Sequence, residues 1–454
     1  MDRRAEVEWA VALGRYYVED LRQRGFEIAE LERTQSQAEA QLRVGNVEDA
    51  LAQADQVRSA ARRCYAPVPP LRSQPLVGTP YPLLGVRRPD WPYAEPSAEG
   101  ELLAHLPDAR LPRYVPTHYP HEVLHSWLGM IAGAALGLPF ENWSAERIAT
   151  EHGAIRFYAT QPPPTLNDDS SFQVVSLHAL EEYGPELDSW QLGQEWLAHM
   201  PVGLTAEGVA LANLKRGLRP PQTATEDNPF AEWVGAAMRA EIWGLLAPGR
   251  PDLACRYALR DAVISHQGNG IYGALFVAAL VSQAFIQRDV SDLIRAALQF
   301  VPPRSRLAEL VPRAFRWRSQ CSTWQAALAR YGQEYAAYAT TPYSHAHVFP
   351  CLAAALIALL YGNGDFAQSL CIAAMCGGDT DFAPALVGAI LGLWSGTEGI
   401  PERWRAPLGD EFDTMATGME RLRYEDFAGR ICQQGLRLPV GATRLYPLLE
   451  EGKR

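Results

Sequence analysis

Hydrophobic residues in the first 65 positions recur at intervals of three and four, a spacing that places them on one side of a helix. Two such stripes occur, and the turn-forming pair Gly45-Asn46 separates them. The pattern predicts an N-terminal helical hairpin over residues 1–65, which we interpret as a packing appendage, with docking or oligomerisation as the alternative role. The stripes consist of Val7, Ala10, Val11, Gly14, Tyr17, Val18 and Leu21, and of Val47, Ala50, Leu51, Ala54, Val57, Ala61 and Cys64.

The following segment, residues 66–120, is rich in proline and is predicted to be an irregular connector laid over the surface. From residue 121 to residue 454, helical periods alternate with short Gly, Pro, Asn and Asp breaks, and strand-like alternation is scarce. This region is therefore predicted to form one all-α bundle. Its most apolar runs, residues 351–361 and 383–394, fall short of the roughly 20 residues of a membrane span and are expected to be buried core helices.

Composition narrows the possible partners of the chain. Of its 454 residues, 48% are hydrophobic and 20% are charged, as in an ordinary globular protein. The net charge of −11 argues against a nucleic-acid partner, which requires a basic face.

Seven cysteines without a CxxC pair indicate neither a disulfide framework nor a zinc ribbon, and the first residues lack an apolar signal region. We expect a cytoplasmic protein without a membrane partner, and the sequence leaves its oligomeric state open.

Two pairs of aspartates stand where a loop gives way to a helix. Asp168 and Asp169 follow Asn167, and Asp379 and Asp381 follow Gly377-Gly378, each just before an apolar helical run. Clustered carboxylates repel one another unless a cation lies among them, and oxygen-only ligands select magnesium, manganese or calcium. The alternative for either pair is that it only caps its helix, because Asp is favoured at helix N-termini.

Two glycine-containing segments complete the candidate chemistry. Glycines at positions 129, 133 and 137 form a smooth stripe on one helix, which another backbone can approach closely, and Glu141 emerges beyond its end. The glycine-rich segment 265–273 suits a loop around a ligand, where His266 and Asn269 are able to bond hydroxyl or phosphate groups. A structural role for a lone histidine is the alternative.

Taken in order, these segments resemble the ADP-ribosylglycohydrolase family, which includes the dinitrogenase reductase activating glycohydrolase, and they are most similar to a bacterial branch. The family pattern GxxxGxxLGxPxE matches residues 129–141, its paired aspartates match Asp168-Asp169, and its GGDTD motif matches residues 377–381 without change. Residues 235–239 are similar to its GxxMR stretch, and Ser265-His266 to its histidine loop. The resemblance covers about residues 120–440.

The resemblance implies an orthogonal α-helical bundle with two magnesium ions in a cleft, where manganese is able to substitute. It implies hydrolysis of the bond between the ribose anomeric carbon and an acceptor in ADP-ribosylated or related substrates. The implied metal ligands are Asn167, Asp168, Asp169, Asp379 and Asp381. The implied catalytic residues are Glu141, Asp168, Asp169 and Asp379, and the implied substrate-binding residues are His266, Asn269, Tyr272, Gly377 and Gly378.

The chain departs from the family pattern at three positions. Asn167 stands where many members have Thr or Ser, although its amide oxygen is still able to ligate a metal. Ala134 stands where many members have Asp, and Phe382 stands where many place a ligating Ser or Thr. A phenyl ring cannot coordinate a metal, so we expect one well-held ion and one weakly held or absent ion. The competing interpretation is that Phe382 stacks on the substrate.

Three other functions remain open at this point. A catalytically silent ADP-ribose-binding or nucleotide-binding module of the same fold would be consistent with the changes at Ala134 and Phe382. A hydrolase of free nucleosides or nucleotides would share the site, and the sequence does not distinguish these substrates from protein-linked ADP-ribose. The segment His121-Glu122-Val123-Leu124-His125 fits the zinc-protease pattern HExxH, although its extended form fails at Leu128 and Ile131.

Overall fold

The protein is described from a computed structural model, which covers residues 3–65, 90–107, 117–339, 345–396 and 398–439. Almost all regular structure in these ranges is helical, so the predicted all-α class is confirmed. The only strands in the described ranges are β1 (Glu411–Asp413) and β2 (Arg421–Arg423), which pair antiparallel. The loop 414–420 between them lies against two helices of the large unit, because Met415 donates to Ser171 and Thr417 donates to the His199 carbonyl.

Three helices, rather than two, form the N-terminal unit: α1 (Arg3–Gln23), α2 (Ala29–Arg43) and α3 (Val47–Tyr65). The two predicted helices are present as α1 and α3. The additional helix α2 has an almost wholly polar sequence and buries only Leu31, Gln35 and Ala38, so it offers no clear hydrophobic period. Its Ala, Glu and Gln content favours a helix all the same.

The N-terminal unit packs onto the large unit through both aromatic and charged contacts. Tyr16 lies edge-on to Phe230 and Trp233, with ring centroids 4.9 and 5.8 Å apart. Arg62 forms a bidentate pair with Asp227, which also accepts a hydrogen bond from the Tyr17 hydroxyl. The appendage is thus fixed to the body of the protein.

The proline-rich connector is described only over residues 90–107 and 117–120, and the prediction for residues 66–89 and 108–116 lies outside the described residues. The described part is mostly exposed or half-buried, but it has two features that an irregular surface connector would lack. It contains helix α4 (Glu99–His105), and its Glu95 side chain is only 1% exposed, in an ion pair with Arg306. The buried guanidinium of Arg306 holds Glu95 against the core. Composition does not reveal this contact, because the two residues are far apart in the chain.

The large unit consists of helices that wrap a single extensive core. In chain order they are α5 (Tyr119–Gly137), α6 (Ala145–Arg147), α7 (Asp168–Tyr183), α8 (Ser189–His199), α9 (Thr205–Lys215), α10 (Gln222–Thr225), α11 (Gly235–Met238), α12 (Glu241–Leu246), α13 (Pro251–Ala262), α14 (Gly268–Ala284), α15 (Val290–Leu298), α16 (Arg306–Gln320), α17 (Trp324–Glu334), α18 (Ala336–Ala339), α19 (Val348–Tyr361), α20 (Phe366–Met375), α21 (Phe382–Trp394), α22 (Glu402–Arg405) and α23 (Tyr424–Arg437). Short 3₁₀ turns span Leu138–Phe140, Gly184–Glu186 and Ala406–Leu408, and a π turn spans Ile148–His152.

The pairing of α5 with α21 sets the geometry of the site. A Cβ atom on Gly129 would lie 2.1 Å from the carbonyl oxygen of Gly388, and one on Gly133 would lie 2.1 Å from that of Pro384. Only glycine permits this approach, so the glycine stripe brings the start of α21 next to the end of α5. Helix 119–140 is also long and apolar enough to cross a membrane, but 83% of its apolar window is buried inside the protein, which is typical of a core helix.

Candidate active site

The first aspartate pair lies in the opening turn of α7. Asn167 caps this helix, since its side-chain oxygen accepts a hydrogen bond from the Ser170 backbone N–H at 3.2 Å. Asp168 and Asp169 therefore project from a helix N-terminus, where the aligned peptide dipoles favour negative charge. Asp169 is buried and Asp168 is half-buried.

The second pair follows a tight turn at Gly377 and Gly378, whose φ angles are +73° and +86°. A Cβ on Gly377 would lie 2.4 Å from the Ala145 nitrogen, so this turn requires glycine for space as well as for conformation. The Gly378 N–H donates to the Trp143 carbonyl at 2.8 Å, and the Asn142 N–H donates to the Gly378 carbonyl at 2.9 Å. These bonds hold the GGDTD turn against the segment that follows α5.

The two pairs converge on one point of the fold. Carboxylate oxygens of Asp168, Asp169 and Asp381 lie within 4.8 Å of one another. The Asn167 side-chain N–H donates to Asp381 Oδ2 at 2.8 Å and so bridges the pairs. Asp379 is close enough to Asp381, Asp168 and Glu141 for their charges to raise its pKa. The predicted metal ligation by Asn167 stays a prediction, because both ends of its amide are bonded to protein here.

The acidic cluster has strongly shifted protonation equilibria. Burial, followed by the charges of Asp381 and Glu207, raises the pKa of Asp168 to about 7. Burial and neighbouring aspartates raise the pKa values of Asp169 and Asp379 well above the usual range. Among the described residues, no Arg, Lys or His forms an ion pair with any of the four aspartates. The cluster thus concentrates buried carboxylates, and no basic side chain of the described residues neutralises them.

The donor set fits a divalent metal ion. Asp169 Oδ2 is buried and has no hydrogen-bond donor among the described residues. A buried polar atom without a partner costs about 1–3 kcal/mol, and more when it is charged. A hard cation would satisfy this oxygen and remove the repulsion among the carboxylates.

Two further carboxylates border the cluster. Glu141 follows the 3₁₀ turn after α5, and its partial burial together with the charge of Asp381 raises its pKa to about 7. Glu241 begins α12, and burial raises its pKa to about 8, while Gln173 of α7 donates to it at 3.1 Å. Sequence reasoning missed Glu241, although a single acid ahead of the apolar run Ile-Trp-Gly-Leu-Leu was a visible signal.

A cavity of about 440 Å³ opens beside the Gly377-Gly378 turn. Its lining includes the aromatic residues Trp143, Tyr331 and Tyr338. A second cavity of about 450 Å³ shares Ala145, Glu146 and Leu328 with it and is lined mostly by apolar residues. Together they provide an aromatic and apolar cleft that reaches the GGDTD turn.

The structure places His266, Asn269 and Tyr272 away from this cleft lining, fully buried. The Asn269 side chain donates to Glu95 and Glu232 and accepts from the Leu307 N–H, and the Tyr272 hydroxyl donates to the Pro96 carbonyl. His266 Nδ1 lies 2.8 Å from the Ser265 hydroxyl, and burial holds the pKa of His266 well below its usual range. Their predicted substrate role stays a prediction. The contacts of Asn269 with Glu95 and of Tyr272 with Pro96 bind the connector to the core.

Phe382 is fully buried in the core at the first position of α21, so its ring does not face the cleft. The stacking interpretation of this residue therefore finds no support. The Phe382 backbone N–H donates to Asp381 Oδ1 at 3.0 Å and helps to orient that carboxylate.

The HExxH segment is also occupied by structural contacts. Glu122 pairs with Arg288 at 3.2 Å, and His125 Nδ1 accepts the Ile400 backbone N–H at 3.1 Å. Within the described residues, no third metal-ligating side chain joins His121 and His125. The zinc-protease interpretation therefore lacks a ligand set.

Comparison with known proteins agrees with the geometry. The family model described as ADP-ribosylglycohydrolase matches residues 116–435, which include both aspartate pairs. The chain belongs to the ADP-ribosylglycohydrolase family. A glycosidase-type hydrolase is what membership of this family implies.

The chain is also similar to individual proteins. The chain is 28% identical over 309 residues to an uncharacterised protein of Archaeoglobus fulgidus, and the match covers 65% of this chain and 94% of that protein. A solved structure titled ADP-ribosylglycohydrolase-related protein complex is 21% identical, with a TM-score of 0.47, and the match covers 70% of this chain and 99% of the other.

Proposed function

We propose that the protein is a magnesium-dependent hydrolase that cleaves the bond to the ribose anomeric carbon in ADP-ribosylated or related ribosyl substrates. The observation that supports this most is the convergence of Asp168, Asp169 and Asp381, which have no basic partner among the described residues, in a chain of this family. The aromatic cleft beside the GGDTD turn supplies room for a nucleotide-sized ligand.

The residues of the cluster suit the charge changes of this reaction. Breaking a ribosyl bond builds positive charge at the anomeric carbon, which nearby carboxylates stabilise. Magnesium held by Asp168, Asp169, Asp379 and Asp381 would supply Lewis acidity and a more acidic bound water. Glu141, with its pKa raised to about 7, is suited to accept a proton from an attacking water near neutral pH.

The cleft suggests how a substrate would be held. Trp143, Tyr331 and Tyr338 offer ring faces and edges to a base or a sugar. The Gly377-Gly378 turn lines the same cavity without side chains, so a ligand is able to approach its backbone closely. This is the basis for proposing both glycines as substrate-binding residues.

A catalytically silent module that binds ADP-ribose is the second candidate. Ala134 and Phe382 favour it, because neither side chain offers a ligand where many family members have one, and both are buried here. Such a module would keep the cleft and the cluster but release no product.

The test is release of ADP-ribose from ADP-ribosylated peptides, with free ribosyl nucleotides assayed in parallel. We expect release that requires Mg²⁺ and falls at least about a hundredfold in Asp379→Ala, because metal catalysis contributes several kcal/mol. Asp55→Ala removes an exposed carboxylate on α3 and serves as the matched control. Full turnover by Asp379→Ala would contradict the proposal, whereas ADP-ribose binding without turnover by the unaltered protein would favour the silent module.

A further inference from the structure

A second group of potential metal ligands lies at the opposite end of α7 from the aspartates. It comprises His178 on α7 together with Glu195 and His199 on α8. One ligand atom from each of the three lies within 4.8 Å of the others. His178 and His199 are partly exposed, whereas Glu195 is buried. The group takes no part in the hydrolase site described above.

The distances within this group are longer than that of an ideal charge-assisted hydrogen bond and are compatible with ligation of one metal ion. His178 Nε2 lies 3.4 Å and His199 Nε2 lies 3.3 Å from the same oxygen, Glu195 Oε2. A charge-assisted N–H···O bond is usually about 2.7–2.9 Å long. In a tetrahedral site with bonds of about 2.0–2.1 Å, neighbouring ligand atoms lie roughly 3.3–3.4 Å apart. The spacing thus matches two edges of a metal-centred tetrahedron.

The position of the proton on the His199 ring also favours a metal ion in this group. His199 Nδ1 lies 2.8 Å from the Thr417 carbonyl oxygen, which only accepts hydrogen bonds, so Nδ1 carries the proton. In the neutral ring, Nε2 then presents its lone pair towards Glu195 Oε2. Two lone pairs at this distance repel unless the ring gains a second proton or a cation lies between them. A carbonyl partner on the far nitrogen is also the usual support of a metal-bound histidine.

The other Glu195 oxygen is already engaged. The Tyr183 hydroxyl donates to Glu195 Oε1 at 3.2 Å, which leaves Oε2 for the two histidines. Two imidazoles and one carboxylate suit zinc and related transition metals, and they do not suit magnesium, which prefers oxygen alone.

We propose that His178, Glu195 and His199 bind one zinc-class divalent ion, with water in the fourth position. The ion would tie α7 and α8 together, and through the His199–Thr417 bond it would also fix the loop between β1 and β2. This loop contacts α7 again near the aspartates, because the Met415 N–H donates to the Ser171 hydroxyl at 2.9 Å.

The test is a Co²⁺ titration of the full, metal-stripped chain in excess Mg²⁺, which saturates oxygen-only sites. We expect one equivalent of Co²⁺ with the strong visible absorption of four-coordinate nitrogen and oxygen ligation, displaced by Zn²⁺. His178→Gln and His199→Gln should each weaken binding at least about tenfold. His105→Gln removes an exposed histidine from α4 and should change nothing.

A second measurement keeps the test informative if a histidine variant folds poorly. Zn²⁺ should raise the melting temperature of the unaltered protein but not that of Glu195→Gln, which keeps the shape of the side chain. Absence of Co²⁺ binding in the unaltered protein, or equal binding by His199→Gln, would show that this group is only a hydrogen-bonded cluster and would overturn the proposal.

Discussion

Two buried clusters of charged residues lie in the same core, and they are neutralised in different ways. Around Arg306, the guanidinium forms a bidentate pair with Glu95 at 2.8 and 2.9 Å and also bonds to Glu232. Around Asp169, the neighbours are further carboxylates, and no described basic side chain pairs with them. The first cluster is complete within the described residues, whereas the second has no basic partner among them and is the proposed site of a metal ion.

The protonation equilibria express this difference. Burial alone would raise the pKa of Glu232, but the charge of Arg306, with His347 Nε2 also nearby at 3.7 Å, lowers it well below the usual range. Burial raises the pKa of Asp169 well above that range, and the neighbouring acids add to the increase. Equal burial thus has opposite results, which indicates a structural role for the first cluster and a binding role for the second.

The largest effect is expected from removing the charge that completes the first cluster. Arg306→Met would leave Glu95 and Glu232 buried without their partner, which typically costs about 3–5 kcal/mol. We expect the free energy of unfolding in urea to fall by that amount. A loss below about 1 kcal/mol would show that the connector and core do not depend on this network.

The second cluster should respond to magnesium in a pH-dependent way. The pKa of Asp168 rises from 3.8 to about 7 in the folded protein, so its protonation stabilises the metal-free fold at low pH, and this stabilisation is lost as the pH rises through 7. In the proposed site, magnesium would bind the ionised carboxylates. The increase in melting temperature caused by Mg²⁺ should therefore be small at pH 5 and large at pH 8.

The difference with and without Mg²⁺ at each pH isolates this effect, because carboxylates elsewhere contribute equally to both measurements. Asp381→Asn serves as the control and should flatten the pH dependence. A magnesium effect of equal size at pH 5 and pH 8 would argue against binding by the clustered aspartates.

The smallest change in stability is expected from neutralising one aspartate of the second cluster. Asp169→Asn keeps the side-chain shape and removes one of several repelling charges, so metal-free stability near pH 7 should change by less than about 1 kcal/mol or increase. Thermal unfolding in a metal chelator measures this. A loss comparable to that of Arg306→Met would mean that Asp169 has a structural partner after all.

The sequence was informative where local geometry decides the outcome. Gly377 and Gly378 are required by a left-handed turn, and the stripe at Gly129 and Gly133 is required by close helix packing. Both features are visible as residue types at fixed spacing. The apolar run that follows each aspartate pair placed the pairs at the starts of α7 and α21, and the helical hydrophobic periods predicted the all-α fold.

The remaining features depend on contacts between distant segments. Nothing near Glu95 in the chain indicates that it pairs with Arg306, and nothing near Asn269 indicates that it bonds to that pair. Glu195 and His199 are one helical turn apart and visible as a pair, but His178 joins them only through the packing of α7 on α8. Such pairings follow from tertiary structure and not from a local pattern.

The most direct test of the central claim is a crystal structure of the protein soaked with Mn²⁺, which substitutes for magnesium and scatters anomalously. The account predicts an anomalous peak among Asp168, Asp169 and Asp381, at metal–oxygen distances of about 2.0–2.3 Å, with a second, weaker peak or none. Absence of any peak among these three carboxylates at saturating Mn²⁺, with their side chains well ordered, would contradict it.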